Sequence, residues 1–376
     1  MRARSRAAAA FVVIALAGCG APDATATVVK QYAAMMRMNA LDAADTVHAL
    51  QSAVDAFVAA PSADGLVAVQ AAWLDTRTVY GELEVSRFYG GPIDDVQGRV
   101  NEWPIDEGFI DYVVGNPTGG IINDPQHFPQ LTPTVLASSD ERGGIENLST
   151  GYHALEFLLW GQRPDQTDGP GQRPFTDYVD GGTAANQGRR RTYLQAATDL
   201  LVGDLDGVAA QWDLADPSSY GSTMVSSAPH DQLQLILRGF SNMAVSELYF
   251  ERMNDPFLTQ NRKDEESCFS ESTSVDISAN AHGLSDVWLG QYGALSGPGL
   301  VTLVDAKDHA LAMTMTSQLA AAVAAVDAIP PPFDHAVLAP AGSDAHDKVQ
   351  AALDALALLA PTIRQIATTL GVTVNI

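Results

Sequence analysis

The chain has 376 residues, a net charge of −24 and only two cysteines. Its 46% hydrophobic and 18% charged content can bury a core and excludes a disordered chain. The 45 acidic against 21 basic side chains would repel phosphate backbones, which argues against a nucleic-acid partner, and two cysteines exclude a disulfide scaffold or zinc ribbon.

The first segment, residues 1–18, reads as a targeting sequence. Arg2, Arg4 and Arg6 precede an apolar run over 7–17 that is too short to span a bilayer but has signal-peptide length. It ends in Leu16-Ala17-Gly18-Cys19, which resembles the lipobox of bacterial lipoproteins. The resemblance implies cleavage before Cys19, lipid attached to that residue and a membrane anchor, with 19–27 as a linker. Gly20 in place of Asp after the cysteine favours the outer membrane by similarity to bacterial sorting rules. Cleavage removes three arginines and no acid, which takes the charge to −27 and leaves Cys268 as the free thiol.

Residues 28–60 repeat apolar side chains at three- and four-residue spacing (Val29, Ala33, Met36, Ala40, Val47, Leu50, Val54, Phe57), which predicts a helix. A break at 61–64 is followed by a second helix over 66–88, through Val69, Trp73, Tyr80 and Leu83. Residues 89–146 are rich in Gly, Pro, Asn and Asp and predict a long irregular segment. It holds one short helix near 104–114, where Asp106 and Glu107 suit a first turn. Further helices are predicted over 147–160, 187–212, 232–253, 300–328 and 343–370, with irregular segments over 161–188 and 254–283. No run has strand periodicity, and the Ala-rich 310–329 reads as a bundle helix. The class is therefore all-α, as two helical-bundle domains over 28–182 and 183–376. Glu265, Glu266, Asp204 and Asp206 read as solvated charges, and no pair among the other histidines has chelating spacing.

The string Gly151-Tyr152-His153-Ala154-Leu155-Glu156-Phe157-Leu158-Leu159-Trp160 is apolar all round, so its helix should be buried. His153 and Glu156 lie on one face, three residues apart. Buried ionisable groups are costly unless paired or bound to metal. Two readings follow: the pair chelates a divalent cation such as Fe or Zn, or it forms a hydrogen bond that sets helix packing. Glu84 on the second helix is either a third ligand or the i+3 partner of Arg87. Arg77 either pairs with a buried carboxylate or binds an anionic ligand. Trp103 reads as a loop anchor, and the spacing supports no porphyrin-stacking role. Cys268 has no base that the sequence can place beside it.

The string matches the Gly-x-His-x-x-Glu motif of the imelysin family. Supporting blocks follow in order: Trp73, Arg77, Tyr80 and Glu84; Arg87-Phe88-Tyr89-Gly90-Gly91-Pro92; Asn101-Glu102-Trp103-Pro104; Arg173-Pro174-Phe175; Ser267-Cys268-Phe269-Ser270; and Pro331-Pro332-Phe333-Asp334. The chain thus resembles the imelysin family, closest to its iron-regulated lipoprotein branch, with Glu271 where an Asp is expected. The resemblance implies two helical bundles with the motif near their interface, an envelope location and partners in iron or haem uptake. It implies metal contact at His153, Glu156 and Glu84, supported by Arg77, Trp103, Asp106 and Gly151, with haem a further ligand. Some members carry a metallopeptidase label. A hydrolytic zinc site needs about three protein ligands, an open water position and a base, and His-Glu-x-x-His is absent. The leading expectation is a non-enzymatic envelope lipoprotein that binds metal or a metal-bearing ligand. A zinc peptidase and a scaffold with a structural His–Glu pair are the alternatives.

Overall fold

Asp23 opens the first helix, Ala24–Ala59, by accepting a hydrogen bond from the Thr25 N–H at 2.9 Å. The computed structural model describes residues 23–163 and 169–374, so the signal segment and Cys19 lie outside the described residues. Ser62 caps the second helix, Ala63–Leu83, in the same way. The short link makes the two helices antiparallel neighbours, and the predicted apolar stripe from Val29 to Phe57 is buried. Helix Gln187–Gln211 packs along the first helix. The motif helix, Gly151–Trp160, packs between Gln187–Gln211 and the second helix.

The rest of the chain adds helix Pro229–Asn242, which continues as a wide i→i+5 helix over Met243–Asn254. Helices Thr273–Leu289, Leu300–Asp305, His309–Asp327, Asp344–Ala357 and Leu359–Leu370 follow. Among the described residues, the only sheet is a two-residue antiparallel pair, Gln291–Tyr292 with Leu295–Ser296. The fold is all-α.

Three expectations need correction. The helix predicted over 300–328 is broken at 306–308, because Asp308 turns out to cap a new helix, accepting from the Leu311 N–H. The helix predicted over 343–370 is interrupted at Leu358. The region 254–283, predicted irregular, contains the start of helix Thr273–Leu289. Its Thr, Ser, Asp, Asn and Gly content has low helix propensity, and burial between the second helix and His309–Asp327 overrides that.

His309–Asp327 is long and apolar enough by composition to cross a membrane. In this fold it turns Leu311, Met315, Leu319 and Val326 into the core. The core is one continuous cluster running from Val28 to Val372. It crosses residue 182, since the first helix contacts Gln187–Gln211 and the second contacts Thr273–Leu289.

Candidate functional site

Gly151 starts the motif helix with φ +81°, and a Cβ there would lie 2.4 Å from the Arg99 carbonyl oxygen and 2.6 Å from that of Val100. Only glycine fits both the left-handed backbone and the close approach. The ten residues that follow from it are all buried. Trp73 Nε1 donates to the Tyr152 carbonyl at 3.0 Å and Tyr178 OH to that of Leu158 at 2.6 Å, which clamps the helix at both ends.

Inside this helix, His153 Nδ1 lies 2.9 Å from Glu156 Oε2. Glu156 Oε1 accepts from the Ser270 N–H at 2.8 Å and from Ser270 Oγ at 2.7 Å. A carboxylate accepts, so an imidazole hydrogen sits on Nδ1, and in the neutral ring Nε2 carries the lone pair. Nε2 is buried and has no hydrogen-bond partner. His153 lines a cavity of about 370 Å³, with Trp103, Asp106, Glu107, Glu265 and Cys268 on its other walls. The pair is thus a hydrogen bond, and both Glu156 oxygens are engaged. A carboxylate that holds one imidazole nitrogen and leaves the other without a protein partner is the usual outer-shell arrangement of metal-ligating histidine.

Glu84 does not join this centre. Arg252 Nη1 and Nη2 donate to its two oxygens at 2.7 and 2.8 Å, Arg87 donates at 3.0 Å, and Asn101 and Asn280 add two longer bonds. A guanidinium stands where the third-ligand reading would need a cation. The alternative partner, Arg87, is present, but the pair is buried rather than on the surface. Arg77 follows its first reading: Nε donates to Asp276 at 2.8 Å and Nη2 to Glu266 at 2.7 Å, and the guanidinium lies over the Tyr152 ring. Glu265 and Glu266, read from sequence as solvated, are 3% and 2% exposed. Their burial depends on arginines far along the chain. Asp204 is likewise mostly buried and pairs with Arg99.

Four buried carboxylates (Glu84, Glu247, Glu266, Asp276) therefore share three arginines, Arg77, Arg87 and Arg252. Glu247 reaches Arg252 five residues on, about one turn of the wide helix. Burial pushes Glu84 up, but Arg252, Arg87 and Arg77 outweigh it and hold it down at about 2. Burial raises the Asp276 carboxyl to about 7; Glu266 adds to the rise and Arg77 opposes it.

The signs give a pH dependence. Asp276 binds its proton more tightly folded than unfolded, so it adds stability as pH falls from about 7 towards 3.8. Glu84 binds its proton less tightly folded, so its contribution persists until pH falls below 4.5 and is lost towards 2. The melting temperature should therefore be higher near ~pH 5 than near ~pH 7.5, and Asp276→Asn should shrink that difference. Thermal melts of both proteins at the two pH values check this. An undiminished difference would move the effect to another acid such as Asp286, which burial also raises to about 7.

The remaining expected residues fall around the cavity. Trp103 is half-buried and forms a wall shared with a neighbouring cavity of about 580 Å³, lined also by Arg87, Glu247 and Glu251. Asp106 caps the short helix Glu107–Ile110, accepting from the Gly108 N–H at 2.9 Å. Burial pushes the Cys268 thiol well up, so it is no ready nucleophile.

Among the described residues, one group of three side chains brings possible ligand atoms within 4.8 Å of one another: Glu271, Asp334 and His335. This set allows a divalent metal, but Arg163 Nη2 already bonds both carboxylates. Sequence reasoning missed this group, and also Ser270, Arg252, Asp276 and Asn280. The predicted helix over 232–253 carries four charges, Arg238, Glu247, Glu251 and Arg252, so nothing in it singles out Glu247 and Arg252.

Fold and site together define an all-helical protein built around a buried Gly-x-His-x-x-Glu helix. The imelysin family model, peptidase M75, matches residues 37–362, and the chain belongs to that family. It is similar to iron-regulated protein A of Synechococcus elongatus, 24% identical over 316 residues, covering 82% of this chain and 76% of the relative. A crystal structure assigned as an iron-regulated protein A precursor from Parabacteroides distasonis superimposes with a TM-score of 0.72 at 19% identity. It covers 94% of this chain and 97% of that one. An imelysin-like protein from Psychrobacter arcticum gives 0.65 at 17% identity, covering 93% and 97%. The two structures share the fold.

Proposed function

We propose that this chain is a cell-envelope lipoprotein, anchored through Cys19, that binds a first-row divalent cation at His153 and serves iron acquisition. One observation carries the binding site: a buried imidazole nitrogen with no partner, on a histidine that Glu156 holds in the wall of an acid-lined cavity. Leaving such a nitrogen dry and unpaired costs free energy, and a metal ion would offset that cost. An imidazole among carboxylates suits Fe²⁺ or Zn²⁺. The net charge of −24 raises the local concentration of cations. The names of the relatives tie the family to iron regulation. Hydrolysis is less well supported, because Glu156 is committed to His153 and Ser270 and offers no base for a metal-bound water.

His153→Ala should weaken Fe²⁺ or Zn²⁺ binding at least ten-fold, about 1.4 kcal/mol, and leave the helical circular dichroism intact. Metal titration of both proteins tests this. Equal binding would make the pair purely structural.

A further inference from the structure

We propose that Glu265 is a second protein ligand of the cation held at His153. The inference rests on the reading of His153 given above. Three buried polar atoms without hydrogen-bond partners, His153 Nε2, Glu265 Oε1 and Glu266 Oε2, belong to residues lining the same cavity of about 370 Å³. Glu266 Oε2 is charge-paired with Arg252 at 3.0 Å, which leaves His153 and Glu265. These residues are 2% and 3% exposed. Glu265 Oε1 is left without a donor. An unpaired carboxyl oxygen is expensive to bury, and a cation is the partner both orphaned atoms lack.

Three buried acids near Glu265 are already matched. Glu266 has Arg77 at 2.7 Å and Arg252 at 3.0 Å, Glu156 has His153 and Ser270, and Asp334 has Arg163. The segment that carries Glu265 is pinned on both sides. Arg77 holds the adjacent Glu266, and Glu156 holds Ser270 further on. Those bonds fix the segment against the motif helix, as outer-shell contacts fix metal ligands elsewhere. Nitrogen plus carboxylate oxygen favours Fe²⁺, Mn²⁺ or Zn²⁺ over Ca²⁺ and Mg²⁺, which take oxygen ligands. The cavity far exceeds the ~30 Å³ share of one water, so water fills the remaining coordination positions.

Zinc titration of the full chain, with competition by a chromophoric chelator, tests this alongside two variants. Glu265→Gln keeps the shape and should weaken Zn²⁺ binding at least ten-fold, and His153→Ala should do the same. Millimolar calcium should not compete. Anomalous scattering from zinc-soaked crystals of the unmodified protein should place one ion about 2.0–2.2 Å from both His153 Nε2 and a Glu265 oxygen. That measurement decides the matter if Glu265→Gln does not fold. Full-strength binding by Glu265→Gln, or an ion on His153 alone, overturns the role of Glu265 and leaves the His153 reading standing. Binding that neither variant changes, or an ion away from His153, overturns both.

Discussion

Replacing Arg252 by methionine should destabilise the protein by about 3–5 kcal/mol, the cost of breaking a buried ion network from one side. Arg252 is fully buried and donates to both oxygens of Glu84, to Glu247 at 2.9 and 3.2 Å and to Asn280 at 2.6 Å. It also stands 3.0 Å from Glu266 Oε2. Methionine fills much of the same volume, so packing changes little and charge dominates. Four buried carboxylates would then share Arg77 and Arg87 alone. Glu84, held at about 2 chiefly against its own burial by Arg252, would be released to take up a proton. Adding Glu84→Gln to the variant removes the cost of neutralising that carboxylate and should recover part of the loss. Urea unfolding of the three proteins measures it. A loss below ~1 kcal/mol would mean that water reaches the cluster and screens it.

Gly151→Ala should be nearly as damaging and should also abolish cation binding. An alanine in the left-handed region costs roughly 1–2 kcal/mol before any contact is counted. The added Cβ would also meet two backbone oxygens, at 2.4 and 2.6 Å, which cannot rotate away as a side chain could. The start of the motif helix must therefore shift, and His153 and Glu156 move with it, away from Ser270. A total loss above ~2 kcal/mol follows, since strain of this kind exceeds the ordinary Gly-to-Ala change. Gly203→Ala is the control: it lies within helix Gln187–Gln211 with nothing within 4 Å of the new methyl group, and it should be neutral or slightly stabilising. Calorimetric melting and zinc titration of both variants check the contrast. A Gly151→Ala protein that melts and binds like the wild type would show that the helix start can move freely.

The sequence alone was enough wherever the relevant partners are close along the chain. The three- and four-residue spacing from Val29 to Phe57 dictates a helix because each turn presents the same face, and that stripe is buried as read. The same geometry brings His153 and Glu156 together, since residues three apart on a helix are neighbours whatever surrounds them. The Asp106 cap is legible for the same local reason.

Tertiary structure decided everything that depends on charge compensation between distant segments. Glu84 meets Arg252 across 168 residues, and Arg77 meets Asp276 across 199. Nothing beside Glu84 in the sequence distinguishes an arginine-bound carboxylate from a metal ligand. Glu265 and Glu266 look like surface acids beside Lys263 and Asp264, and become interior groups only because the fold lays their segment on the motif helix. Helix Thr273–Leu289 forms against weak local propensity because it is buried between two other helices. Ser270, 114 residues from Glu156, completes the bonding of the carboxylate that holds His153 Nδ1. Helix geometry makes the pair, but only packing decides which nitrogen is left free.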